Sequence, residues 1–286
     1  MNFEHIHRTA AAGALGLLLC AAPSYAQSTG SLKDTSLALA PVQLRGLPAV
    51  SDARKGSPKP SIVLVHGAFA DGSSWSGVIR ILQKDGYVVT AVQNSLNSYA
   101  EDVATTKRLI DAQIGPVVVV GHSYGGAVIT SAAAGNTNVK ALVFVAAFAP
   151  DSNEAIGAFV SKYPSALGAA LRPDAAGFAS IDRAAFHDVF AKDLTQIESD
   201  VMAAAQKPAM GTLFAASPTV AAWRTIPSWY VIAQDDQAIN PELERFFATR
   251  MGATTKEIKA SHVVFISHAQ EVAQIIENAA TPTLKP

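Results

Sequence analysis

The sequence predicts an α/β fold: a mostly parallel sheet of about six strands, with helices on both faces and an inserted helical cap. Three observations support this. Short runs of β-branched and aliphatic residues alternate with helical stretches, which is typical of repeated βαβ units. This alternation stops near residue 150 and resumes near residue 227. Between these two points, short helical stretches are separated by proline and glycine.

The elements of the predicted core follow one another in a regular order. Ser98 and Glu101 form a capping box, which indicates a helix start, and Gly115 with Pro116 ends that helix. The predicted strands cover residues 61–65, 87–92, 117–120, 139–146, 229–233 and 255–259. The predicted core helices cover residues 74–83, 98–113, 127–134, 241–251 and 269–279. In the cap, helices are predicted over residues 154–163, 182–192, 195–206 and 218–224, and no strand is expected.

The composition is that of a globular protein with a large core. The chain has 286 residues, of which 49% are hydrophobic and 16% charged, so disorder is not the default expectation. The net charge is −1, and there is no basic cluster. This argues against nucleic acid as a partner and provides no steering of charged substrates.

The first 26 residues predict a secretory signal peptide. An apolar run over residues 9–20 is followed by Ser24 and Ala26, small residues at positions −3 and −1 of a cleavage site. The run is shorter than the roughly 20 residues of a membrane-spanning helix, so we expect export to the periplasm or the medium without a stable membrane anchor. An uncleaved anchor is the alternative. Cys20 is the only cysteine, so the mature chain would have no disulfide and no thiol nucleophile.

The remaining chain divides into three predicted parts. Residues 27–60 form a tether, with a short edge strand over residues 37–44. Residues 61–150 and 227–286 form the core, and residues 151–226 form the cap.

A strand, a sharp turn and a helix meet around residue 123. Four valines at 117–120 predict a buried parallel strand, and Gly-His-Ser-Tyr-Gly at 121–125 matches Gly-x-Ser-x-Gly. The helical stretch 127–134 follows at once, which is the context in which this motif presents a nucleophile. A phosphate-binding loop is the alternative, but no Gly-Lys-Ser/Thr follows, and serine stands where a dinucleotide fingerprint needs glycine. We therefore predict Ser123 as a nucleophile.

A serine nucleophile needs a general base and a carboxylate that orients the base. Of the seven histidines, His262 lies in the loop after the last strand, at the sheet edge where Ser123 emerges. Asp235 and Asp236 both follow the strand at 229–233, which ends at the same edge of the sheet. Neighbouring residues near a strand end point in different directions, so we expect one of the two to reach His262. The spacing alone does not decide which.

The order Ser…Asp…His is typical of α/β-hydrolases, and residues 61–279 resemble that superfamily. The chain is most similar to its small esterase and hydroxynitrile-lyase group, which includes many bacterial members. The motifs that carry the resemblance are Val-His-Gly-Ala-Phe at 65–69, Gly-His-Ser-Tyr-Gly-Gly at 121–126, Gln-Asp-Asp-Gln-Ala-Ile at 234–239 and Ser-His-Val at 261–263.

The resemblance implies an α/β-hydrolase fold and further site residues. It places the acid three residues before Ile239, which selects Asp236 and leaves Asp235 as the alternative. An oxyanion hole needs two backbone N–H groups. One belongs to Tyr124, directly after the nucleophile, and by resemblance the other belongs to Ala68.

The residues favour ester hydrolysis over the other reactions of the superfamily. The lyases of this group place lysine after the histidine and threonine in the slot of Gly67, whereas this chain has Val263 and glycine there. Serine at position 123 excludes the aspartate-nucleophile chemistry of haloalkane dehalogenases and epoxide hydrolases. We predict a serine esterase for small apolar or aromatic esters that works through an acyl-enzyme without cofactor or metal. We expect Phe69 and Phe148 to line its pocket.

Further aromatic residues are candidates for the same pocket: Phe186, Phe190, Phe214 and Trp223. One alternative function is a small-ligand binding protein with a slow or vestigial hydrolase site, and another is a perhydrolase side activity. The sequence does not indicate the natural substrate or the oligomeric state.

Overall fold

A computed structural model describes residues 59–281 of the chain. The predicted signal peptide and the edge strand at 37–44 lie outside the described residues, as does nearly all of the predicted tether. Within the described part, none of the helices combines the length and apolarity that crossing a bilayer requires.

The centre of the fold is a six-stranded sheet in which every neighbouring pair of strands is parallel. In chain order the strands are β1 (Ser61–Val65), β2 (Val89–Ala91), β3 (Val117–Ser123), β4 (Val139–Ala147), β8 (Ser228–Ala233) and β9 (Thr254–Ile258), with β5 to β7 in the insertion described below. Their order across the sheet is β2-β1-β3-β4-β8-β9. The predicted sheet is confirmed.

Helices cover both faces of this sheet. They are α1 (Ser76–Lys84), α2 (Tyr99–Asp111), α3 (Tyr124–Ala132), α8 (Pro241–Met251), the short α9 (Val264–Ser267) and α10 (Ala269–Ala280). The chain moves across the sheet in one direction through α1 and in the opposite direction through α2, α3 and α8. Because parallel crossovers are right-handed, α1 lies on one face and the other three on the opposite face. Helix α10 packs against α1 and shares its face.

Local signals explain where these elements begin and end. The side chain of Asn240 accepts a hydrogen bond from Glu242 N, Pro241 is the first residue of α8, and Gly252 ends α8 at φ 61°. All three signals are readable in the sequence, and α8 has its predicted bounds. Helix α1 begins later than predicted because Asp71 caps a 3₁₀ turn, Gly72–Trp75, that precedes it.

The insertion between β4 and β8 is mainly helical but also holds a small sheet. Its helices are α4 (Ile156–Lys162), α5 (Leu167–Ala170), α6 (Arg183–Phe190) and α7 (Gln196–Ala205). The strands β5 (Leu171–Pro173), β6 (Phe178–Ile181) and β7 (Ala209–Met210) form an antiparallel sheet. The expectation of no strand here was wrong, because strands of two to four residues are too short to show a period of two.

One arginine of the core holds the start of this insertion. Arg250, near the end of α8, donates from Nη1 to both carboxylate oxygens of Glu154, at 2.9 and 2.8 Å, and from Nη2 to Ala149 O at 2.7 Å. Its guanidinium also lies over the rings of Trp223, at 5.3 Å, and Phe159, at 5.6 Å. The two ends of the insertion are therefore joined to the same side chain.

Candidate active site

Ser123 is the last residue of β3 and directly precedes α3, in a strained backbone conformation. Its φ is 53° and its ψ −123°, a region that residues with side chains rarely occupy. The turn is possible because the glycines on either side of Ser123 let neighbouring backbone segments approach closely. A Cβ on Gly121 would lie 2.6 Å from Gly125 O, and one on Gly125 would lie 2.6 Å from Val65 O. The strain is therefore held by close backbone packing.

The turn after β1 lies against Ser123. A Cβ on Gly67 would come within 2.7 Å of Ser123 Cβ, so only glycine fits there. The next residue is Ala68, and its N–H donates no hydrogen bond to any other described residue. The N–H of Tyr124, at the first position of α3, has no intrahelical acceptor either. The backbone N–H groups of Ala68 and Tyr124 are therefore two unsatisfied donors next to Ser123.

The ring of His262 is bonded to the carboxylate of Asp236. His262 Nδ1 donates to Asp236 Oδ2 at 2.5 Å, and the side chains are 1% and 0% exposed. The other oxygen, Asp236 Oδ1, accepts from Ala238 N at 2.6 Å and Ile239 N at 2.8 Å. Asp235 is exposed and lines a surface groove instead. Between the two aspartates, the structure brings Asp236 to the histidine.

The loop of His262 is joined to the residue before Ser123. His122 Nε2 donates to the backbone oxygen of His262 at 3.0 Å, and the two rings are 4.6 Å apart. The ring of Phe190, from the insertion, lies 4.8 Å from the ring of His262. Among the described residues, no hydrogen bond joins Ser123 Oγ to His262 Nε2. The roles of these two residues as nucleophile and base remain predictions.

Burial disfavours the charged form of two other histidines near the site. Burial holds the pKa of His122 well below its usual value, and the neighbouring His262 lowers it further. Burial also lowers the pKa of His66, whose Nδ1 donates to Gly67 O while its Nε2 accepts from Asn94 N. Both rings are fully buried, so their part is to hold the turns around Ser123.

An acidic residue of the insertion binds both ends of the histidine loop. Asp193 accepts from Ser261 N at 3.1 Å and also from the Ser261 hydroxyl. It further accepts from Ser267 Oγ at 2.7 Å. Because Ser261 directly precedes His262, these hydrogen bonds of Asp193 fix the backbone next to the histidine. No motif in the sequence signals this contact between distant segments.

A second buried acid, Asp102, anchors the side chain of Tyr124. The Tyr124 hydroxyl donates to Asp102 Oδ2 at 3.0 Å, and Leu96 N and Ser95 Oγ donate to Asp102 Oδ1. Burial raises the pKa of Asp102 although these donors act against the rise. Sequence reasoning missed this residue, since it lies on a predominantly polar helix.

An apolar cavity of about 210 Å³ lies under the insertion. It is lined by Phe148, Gly157, Val160, Ser165, Leu167, Gly168, Leu171, Phe214 and Ala238. Two of the aromatic candidates, Phe148 and Phe214, are in this lining. The cavity adjoins the acid loop, because Ala238 lines it and also donates its N–H to Asp236.

The other predicted pocket residue, Phe69, lies outside this lining. It is 3% exposed, and its ring packs edge-on against Phe190 at 6.5 Å. Phe186 also packs on Phe190, while Trp223 donates from Nε1 to Pro150 O. Substrate contact by Phe69 and Phe148 remains a prediction. Within the described residues, no three His, Cys, Asp or Glu side chains are grouped so that they could hold a metal ion.

Comparison with known proteins shows the family of the chain. The model of the alpha/beta hydrolase family matches residues 62–275. A protein named alpha/beta hydrolase nvfD, from Aspergillus novofumigatus, is 27% identical over 245 residues, which are 78% of this chain and 97% of the relative. A carbendazim hydrolyzing esterase from Nocardioides is 30% identical over 115 residues, 36% of this chain and 48% of the relative.

Solved structures share the fold at lower identity. A pyrethroid hydrolase from Sphingobium faniae superposes with a TM-score of 0.67 at 20% identity, over 78% of this chain and 97% of the other. Polyneuridine aldehyde esterase gives a TM-score of 0.67 at 19% identity, over 77% and 98% of the two chains.

Proposed function

Because the chain belongs to the alpha/beta hydrolase family, we propose that it cleaves carboxylic esters of small apolar or aromatic substrates. Ser123 is the nucleophile, His262 the general base and Asp236 the acid that orients it. The observation that carries the proposal is the buried hydrogen bond of 2.5 Å between His262 and Asp236, at the sheet edge where the strained Ser123 ends β3.

In the proposed reaction, His262 takes the proton of the Ser123 hydroxyl as its oxygen attacks the ester carbonyl. Because Nδ1 donates to Asp236, the lone pair of the neutral imidazole is on Nε2, where it can accept that proton. The imidazolium then gives the proton to the departing alcohol, and an acyl-enzyme remains. Water activated by the same histidine releases the acid and restores the serine.

The developing oxyanion is held by the N–H groups of Ala68 and Tyr124. Both are unsatisfied in the structure, both neighbour Ser123, and the N-terminus of α3 adds a favourable dipole. Removing one such donor typically costs on the order of 10²–10³ in kcat.

The cavity supports a small apolar substrate group. Its volume of about 210 Å³ lies below the range of about 300–1,000 Å³ typical of pockets that bind drug-sized ligands. Phe148 and Phe214 line it, and the carbendazim hydrolyzing esterase is a relative over part of the chain. We therefore assign this cavity to a compact acyl or aryl group of the ester.

A serine-directed probe tests the proposal. The wild-type protein should react with a fluorophosphonate at Ser123 and hydrolyse p-nitrophenyl acetate. Ser123→Ala should lose both, with turnover falling on the order of 10³–10⁶-fold. Ser76→Ala, at an exposed serine that starts α1, is the matched control and should behave as wild type. Turnover that survives in Ser123→Ala would refute the assignment.

A second candidate is a protein that binds a small carboxylic or aromatic ligand with little turnover. It is favoured by one observation, the missing hydrogen bond between Ser123 Oγ and His262 Nε2 among the described residues. The same probe separates the two functions. Absence of labelling at Ser123, together with tight ligand binding, would favour the binder over the esterase.

We also propose that the chain is exported, with cleavage after Ala26. The proposal rests on the apolar run and the small residues before Gln27. N-terminal sequencing of the protein recovered from a secreting host should begin at Gln27. Recovery of the chain with Met1 intact would contradict it.

A further inference from the structure

A second buried carboxyl lies behind the proposed acid. Glu244, on α8, is 0% exposed. Its Oε2 accepts from Ala233 N at 3.0 Å, while Oε1 is buried and accepts no N–H or O–H group of the described residues. Asp236 N donates to Ala233 O at 3.3 Å, so both acids are bonded to the same residue, and the Asp236 side chain is one of the neighbours that raise the pKa of Glu244. The proposed mechanism has no role for this residue.

Two carboxylates cannot bond to each other, because an ionised carboxylate only accepts hydrogen bonds. A buried contact between Glu244 and Asp236 therefore needs a proton on one of them. Asp236 accepts from two backbone N–H groups and from His262, all of which stabilise its anion. Glu244 accepts from one N–H group only. The proton consequently belongs on Glu244.

The other groups that face Glu244 agree with this placement. Burial raises the pKa of Glu244 well above its ordinary value of 4.5, and the negative charge of Asp236 raises it further. Tyr230, on β8, is neutral and bonds to Ala147 O instead. Arg245 favours the anion but is paired at the surface with Glu242 and Glu257.

We infer that Glu244 is a positioning residue of the proposed triad: it is protonated at neutral pH and donates a hydrogen bond to the Asp236 carboxylate. This inference rests on the proposed function. The bond fixes the carboxylate that orients His262. Ionisation of Glu244 would place two negative charges together in a dry site.

The pH dependence of the free energy of unfolding shows whether Glu244 is protonated in the folded state. A group whose pKa is raised by folding stabilises the fold fully at pH values below its unfolded pKa, and this contribution is lost as the pH rises through the folded value. In Glu244→Gln the amide donates and accepts hydrogen bonds at every pH, so this pH-dependent loss of stability is absent. The ratio of the unfolding equilibrium constants of the chains without and with Glu244→Gln should therefore rise about tenfold per pH unit from roughly pH 4.5 up to the pKa of Glu244 in the folded state, and then level off.

The first experiment measures unfolding by urea from pH 5 to pH 9 in a Ser123→Ala background, with and without Glu244→Gln. Glu242→Gln, at an exposed carboxyl of the same helix, is the matched control and should leave the pH dependence unchanged. Parallel pH profiles with and without Glu244→Gln in this background would show that Glu244 is ionised and overturn the inference. This readout does not depend on activity, so it decides the inference even if the proposed function fails.

The second experiment tests the positioning role. Glu244→Gln should keep kcat within about threefold of wild type, whereas Glu244→Leu should lower kcat on the order of 10–100-fold with little change in KM. The low-field proton NMR signal of the His262 Nδ1–H should shift in Glu244→Leu and stay in place in Glu244→Gln. Equal kcat in the two variants, or an NMR signal that moves in neither, would overturn the role.

Discussion

At the scale of single residues, the hydrogen bonds of Asp236 determine what the neighbouring imidazole can do. Its Oδ1 is held by two backbone donors, so only Oδ2 is free to face His262. In Asp236→Asn the amide oxygen would stay with those donors, and the NH₂ group would face Nδ1. The histidine would then carry its proton on Nε2 and could not act as the proposed base toward Ser123.

We therefore expect Asp236→Asn to lower kcat about 10⁴-fold while the fold is retained. Asp235→Asn is the matched control, since Asp235 is exposed and the hydrogen bond of His262 Nδ1 goes to Asp236, and its kcat should stay near the wild-type value. Steady-state kinetics with p-nitrophenyl acetate and circular dichroism measure both effects. A larger loss in Asp235→Asn would reverse the assignment of the acid.

The sequence predicts residues of this site when a local motif marks them. Ser123 is marked by its glycines and His262 by its position after a strand, whereas the strand end marks Asp235 and Asp236 equally and only the family resemblance selects Asp236. Asp193 and Glu244 could not be predicted, because each is distant in sequence from the residues it contacts and meets them only in the folded chain. Asp193 lies 68 residues before the serine that it binds. A buried, hydrogen-bonded carboxyl differs from an ordinary surface charge in its exposure and its partners. Neither property can be read from a single sequence.

At the scale of secondary structure elements, the turn after α6 and the loop after β9 behave as one unit. Phe190 packs on the His262 ring, and Asp193 binds the backbone just before it. Any movement of α6 away from the core would therefore displace the proposed base. The insertion thus supports the site and does more than cover it.

Removing this support should affect turnover more than substrate binding. We expect Asp193→Ala to lower kcat on the order of 10-fold with a smaller change in KM, because the histidine loop loses three hydrogen bonds. Asp188→Ala, at a carboxyl that is 74% exposed on α6, is the control and should change neither parameter. An unchanged kcat in Asp193→Ala would mean that Phe190 and His122 suffice to hold the loop.

Elements differ in how well the sequence predicts them. The sheet strands are predictable because burial on both faces produces continuous aliphatic runs, as at residues 61–65 and 117–120. Helix α8 is predictable because Asn240, Pro241 and Gly252 mark its two ends. The strands β5, β6 and β7 are not, since they are short and half exposed, and their pairing depends on tertiary contacts.

At the scale of the whole molecule, Arg250 connects the core to both ends of the insertion. Its guanidinium is mostly covered by aromatic rings and bonds to Glu154 and to a backbone carbonyl. Such a side chain stabilises through packing as well as through charge. An exposed ion pair contributes much less, because water and salt screen it.

We expect Arg250→Ala to lower the free energy of unfolding by about 3 kcal/mol, since charged hydrogen bonds and ring packing are lost together. Arg245→Ala is the comparison on the same helix, and its exposed pairs with Glu242 and Glu257 should cost about 1 kcal/mol or less. Urea unfolding at a common slope measures both. Equal losses in the two variants would show that the ring contacts of Arg250 contribute nothing.

The turns at the amino ends of the strands suggest a practical use. Ile114, between α2 and β3, is 95% exposed, and an added Cβ on Gly115 or Gly135 would meet no atom within 4 Å among the described residues. The proposed chemistry lies at the opposite, carboxyl ends. Since the sequence has one cysteine, at position 20, Ile114→Cys would leave a single reactive thiol after the proposed cleavage behind Ala26. Coupling through this thiol would immobilise the protein on a bead or an electrode with its insertion facing the solution.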